Sequence, residues 1–162
     1  MILGMPVYTF VHVLLSLVGI ASGFVVLRGF LTANPTKEWT RLFLLTTTAT
    51  TLTGFGFPFH GLTPAIGVGI VSTLVLALAI AALYLFHLAG SWRWVYVVGC
   101  VIAQYLNCFV LVVQAFLKVP ALHVLAPNGN EPAFAITQGV VLIAFIWAGA
   151  LAVRRFHPTV TV

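Results

Sequence analysis

Apolar residues run along this chain in long unbroken stretches, and a few polar or Gly/Pro-rich breaks divide it into five segments. The longest stretch, Leu42 to Trp92, holds 51 residues without an Asp, Glu, Lys or Arg. A helix crosses the hydrocarbon of a bilayer in about 20 apolar residues, so this stretch is too long for one crossing and suits two. Gly54, Gly56, Pro58, Gly61 and Pro64 interrupt it near the middle, where the chain is expected to turn back at a membrane surface. The pattern predicts spans over residues 6–30, 39–59, 64–89, 94–117 and 132–153.

Composition sharpens that picture. Hydrophobic residues make up 62% of the 162 positions and charged residues only 6%, too few charges to cover a soluble domain of this size. The expectation is an all-α integral membrane protein, a five-transmembrane-helix bundle forming one domain over residues 1–162. The first span has no basic residue before it and no clean cleavage site, so a removable signal peptide is not expected.

Charge adds an orientation. With the N-terminus outside and the C-terminus in the cytoplasm, Arg28, Lys37, Arg41, Arg93, Arg154 and Arg155 fall inside and Lys118 alone falls outside. That asymmetry fits the positive-inside rule and a bacterial inner (plasma) membrane. The net charge of +5 is spread over segment ends, so it reads as topology and makes no case for nucleic acid.

Polar residues within the spans fall on faces. His12, Ser16, Gly19 and Gly23 share one side of the first helix, and small residues there let another helix approach. The run Thr46 to Thr53 is tolerable in lipid because threonine hydroxyls bond back to their own helix carbonyls. Thr46, Thr50, Thr53, Phe57 and His60 would share a face if the helix continued past Pro58. Gln104, Asn107, Gln114 and Lys118 form a stripe on the fourth span, expected to face other helices or a cavity. Cys100 and Cys108, eight residues apart on one helix, stand about 12 Å apart, too far for a disulfide, and read as buried thiols.

Chemistry is confined to few candidates. No carboxylate lies inside a span, Lys118 sits at a helix end, and no nucleophile-elbow, zinc-protease or phosphate-loop motif is present. An enzymatic activity is left open. The topology gathers His12, His60 and His123 at the outer end, with Glu131 on the same side. Neutral imidazole binds haem iron, copper or zinc. His12 and His60 are therefore candidate axial ligands of haem b, and His12, His60 and His123 a candidate copper or zinc site. Asn107 and Gln114 would support that group or meet a quinone-like molecule. The structural readings stand beside these: His12 bonded to a Ser or Thr of a neighbouring helix, His60 and His123 as turn residues, Glu131 at a helix start, and the amide stripe as glue between helices.

Three functions remain. The first is a small membrane protein holding haem or a metal ion near its outer face for electron transfer or metal handling. The second is a packing subunit or scaffold of a larger membrane assembly, with no stoichiometric metal; a stable homo-oligomer without another subunit would count against it. The third is a small-solute pathway lined by Gln104, Asn107, Gln114 and the threonine run. The absence of an internal repeat weakens the third.

Overall fold

The computed structural model describes residues 4–34, 37–58 and 63–157. Among them the regular structure is helical: α1 (Val7–Leu31), α2 (Lys37–Gly54), α3 (Pro64–Tyr84), α4 (Trp92–Lys118), the short α5 (Pro120–His123) and α6 (Pro132–Arg155). α1, α3, α4 and α6 are each long and apolar enough to cross a membrane, which marks an integral membrane protein. α2 is the exception. Lys37, Glu38 and Arg41 open it, and its threonines lower its hydropathy.

Proline and glycine set the boundaries. Pro64, Pro120 and Pro132 open their helices, where a missing N–H costs nothing and the ring fixes a helical φ. The helix in the predicted second span is shorter than the sequence pattern predicts. α2 ends at Gly54 rather than near Phe59, and residues 55–57 form a turn ahead of Pro58. Gly54 and Gly56 weaken the helix here, and Pro58 disfavours the α conformation at Phe57, so the helix closes early. The predicted third span also stops sooner, at Tyr84. His87 and Leu88 then adopt left-handed φ values of 47° and 59°, and the Phe86 and Trp92 rings stack at 3.8 Å across the resulting turn.

Side-chain contacts give the helix directions. Gly23 meets Phe43, Gly19 meets Thr47 and His12 meets Thr53, so α1 and α2 run antiparallel. Gln138 reaches the Phe109 carbonyl, Tyr105 packs on Phe145 and Arg93 bonds the Val153 carbonyl, so α4 and α6 are antiparallel too. Phe24 against Phe145 and Phe30 against Phe156 make α1 and α6 parallel. α4 is the central element, packed against α1, α3 and α6.

Close approach between helices rests on small residues, as expected where lipid leaves no hydrophobic difference to drive association. A Cβ on Gly99 would lie 3.0 Å from the Ala79 Cβ. Phe30, Phe43, Val97 and Phe156 fill the core. The threonine run behaves as its chemistry predicts: Thr46, Thr51 and Thr53 donate to the carbonyls of Leu42, Thr47 and Ala49. Arg28, Lys37, Arg41, Arg93, Arg154 and Arg155 gather at the end of the bundle where α1 finishes and α2 begins. Arg93 ties that end together by donating to the Val153 and Phe156 carbonyls, and Arg155 donates to the Leu31 carbonyl. Cys100 and Cys108 are both free and buried, as their spacing requires.

Candidate functional site

At the opposite end, α1 presents Tyr8 and His12 to the last turn of α2. They stand one helical step of four residues apart, so they share a face. The Tyr8 hydroxyl donates to the Thr53 carbonyl, and its ring packs edge-on against Phe57 at 5.1 Å. His12 also meets Phe57 edge-on, at 5.0 Å between ring centres. On another side, a Cβ on Gly54 would lie 3.7 Å from the His12 Cε1. The imidazole is half-buried and held on several sides.

Its tautomer follows from one oxygen. His12 Nδ1 lies 2.8 Å from Thr53 Oγ1, and that same Oγ1 lies 2.7 Å from the Ala49 carbonyl oxygen. Two oxygens that close need a proton between them, and a hydroxyl has only one. Thr53 therefore gives its proton to Ala49 and accepts from His12. Nδ1 carries the hydrogen, and Nε2 holds a lone pair with no hydrogen-bond partner among the described residues. The bond to a neighbouring threonine is the structural role expected for a buried histidine. It is also how a histidine ligand is oriented, with the non-ligating nitrogen fixed by an acceptor.

The other candidates do not all join it. His60 lies outside the described residues. His123 is at the end of α5, which packs on α4, and its Nδ1 faces the Phe116 carbonyl at 3.3 Å. Among the described residues no three of His, Cys, Asp and Glu come close enough to hold a metal ion. Asn107 donates from Nδ2 to Thr47 Oγ1 at 3.2 Å. Gln114 is exposed.

The amide stripe of α4 is thus divided. Gln104 is buried and donates to the Ile20 carbonyl at 2.9 Å, Asn107 joins α4 to α2, and Gln114 stands apart from both. Gln138 on α6, which the sequence pattern did not single out, makes a third such link by donating to the Phe109 carbonyl at 3.1 Å. Tyr8 was also missed. Its spacing of four from His12 was the available signal.

Glu131 is committed to its own loop. It precedes α6, yet its carboxylate turns back to accept from the Asn128 and Asn130 backbone N–H groups at 3.0 and 3.1 Å and from Asn128 Nδ2 at 2.9 Å. Desolvation is the largest single influence and opposes ionisation, but the donors together outweigh it and hold the carboxyl below the usual range. Compared with known proteins, the chain matches no family model, no curated protein and no solved structure.

Proposed function

We propose that this chain is a five-span membrane protein of a bacterial inner membrane that binds a transition-metal ion or haem iron at its outer end through His12 Nε2, for electron transfer or metal handling. The observation that carries the reading is the Thr53 hydroxyl, which fixes the Nδ1–H tautomer and leaves Nε2 with an available lone pair. The imidazole is thereby set as a ligand before any metal arrives, which reduces the cost of binding. Of the two cofactors, a single ion suits the surroundings better, because Phe57 and Gly54 already stand close to the ring and a macrocycle needs a wide slot. His60, two residues past Pro58, is the first candidate for a second ligand, and His123 the next.

α2 serves as the fifth span in this reading. Its 18 residues extend about 27 Å, close to the roughly 30 Å of hydrocarbon. The cationic end then faces the cytoplasm and the His12 end faces outward. A cysteine placed at Asn128 should react with an impermeant maleimide in intact cells, and one at Asn34 only after permeabilisation; the opposite pattern overturns the orientation.

The test of function is elemental analysis of iron, copper and zinc on detergent-purified protein, beside His12→Ala. Near-stoichiometric metal in the native chain, lost in a variant that still elutes as a folded species, supports the site. Metal-free native protein, or equal metal in both, overturns it. His12 would then be a packing residue, and a stable co-purifying subunit would identify the chain as part of a larger assembly.

A further inference from the structure

On the side of the bundle, α4 and α6 separate to leave an open groove of about 470 Å³. Its walls are apolar apart from Tyr105 and, at one end, Arg154. Gly149 and Ala150 form part of the α6 wall, and a Cβ on Gly149 would lie 3.2 Å from Val101 Cγ1, so the two helices meet closely beneath the opening. From Leu142 to Arg154 the groove follows thirteen residues of α6, about 18 Å.

Arg154 differs from its neighbours Arg93 and Arg155. Arg93 and Arg155 are spent on backbone carbonyls, whereas Arg154 is exposed and has no hydrogen-bond or ion-pair partner among the described residues. A guanidinium with its donors free, at the mouth of an apolar channel and at the level of the other interfacial cations, matches a phosphate. The channel behind it is close in length to one leaflet's half of a roughly 30 Å hydrocarbon core. The space fits a single hydrocarbon chain.

We infer that the α4–α6 groove binds one acyl chain of an anionic phospholipid, with Arg154 holding the lipid phosphate. The site is independent of the His12 end and stands whether or not a metal binds there.

Native mass spectrometry of delipidated protein reads this directly, using phosphatidylglycerol and phosphatidylcholine with the same acyl chains. The native chain should retain one phosphatidylglycerol at least fivefold more than phosphatidylcholine. Arg154→Gln should erase that preference. Ala150→Trp should cut retention about tenfold by filling the groove, with Ala150→Leu giving a smaller loss if the larger ring disturbs folding. Leu78→Trp, on the exposed face of α3, should change nothing. Equal retention of the two lipids by the native chain, undiminished binding in both Ala150 variants, or the same loss from Leu78→Trp would each overturn the proposal. A dimer that dissociates on Ala150 substitution while no lipid is retained would assign the groove to a second copy and overturn it as well.

Discussion

Gly23 on α1 and Gln104 on α4 meet with no side chain between them. The Gln104 amide oxygen occupies the space a Cβ on residue 23 would take, and the Phe43 ring would stand only 2.8 Å from that same Cβ. The glutamine cannot simply swing aside, because its Nε2 donates to the Ile20 carbonyl at 2.9 Å. Gly23→Ala should therefore destabilise the bundle by about 1–3 kcal/mol, the usual range for overpacking. Gln104→Ala should lessen that penalty in the double variant. Unfolding in a denaturing detergent measures both, and strict additivity would mean that the two residues do not compete for space.

Asn107 and Gln114 separate glue from pathway. Asn107 bonds Thr47 on α2, while Gln114 is exposed. Replacing Asn107 with Leu should cost roughly 0.6 kcal/mol, the average for hydrogen bonds between membrane helices, and Gln114→Leu should cost nothing measurable. A solute path along the stripe predicts that transport responds to both substitutions, including Gln114→Leu, which leaves stability unchanged.

That division was beyond the reach of periodicity. Gln104, Asn107 and Gln114 recur at helical spacing, but which of them touches a neighbour depends on how far α1 and α2 extend beside α4. The register of α1 on α2 rests on Gly19 and Gly23 seated against Thr47 and Phe43, a matter of shape that leaves only a faint mark in the sequence. The helices were legible because continuous hydropathy and Gly/Pro breaks are local signals. The small-residue face of α1 was legible too, and with it the inward placement of His12. The end of α2 was not, since it depends on the backbone before Pro58. Thr53 stood out only as one of several threonines. Its role emerges from giving its one proton to Ala49, which leaves its oxygen to accept from His12.

Glu131 makes the loop before α6 sensitive to acid. Its folded-state carboxyl lies below the usual range because Asn128 and Asn130 donate to the charged form. A depressed carboxylate contributes stability above its unfolded pKa, and that contribution is lost as pH falls through the folded value. Hydrogen exchange at the Asn128 and Asn130 amides should be slow near neutrality, allowing for its intrinsic pH dependence. Protection should weaken only in the acid range. Glu131→Gln should abolish it at neutral pH. Protection unchanged by that substitution would show that the turn holds without the carboxylate.

Thr53→Val is the most informative single change at the His12 end. It preserves side-chain shape and leaves the Thr53 backbone carbonyl to accept from Tyr8, while removing the oxygen that receives the His12 Nδ1 hydrogen. If Nε2 ligates a metal, the ring loses its orienting partner and affinity should fall about 10–100-fold. Thr53→Ser should restore most of it. If His12 only packs, the same change should cost about 1 kcal/mol of stability and leave metal content where it was. Both outcomes can be read from one set of preparations, by titrating metal and unfolding each variant. Stability alone cannot separate the roles, because losing the Nδ1 bond weakens the fold in either case. Metal affinity that follows the hydroxyl, present in Thr and Ser and lost in Val, is the signature a packing histidine would not give.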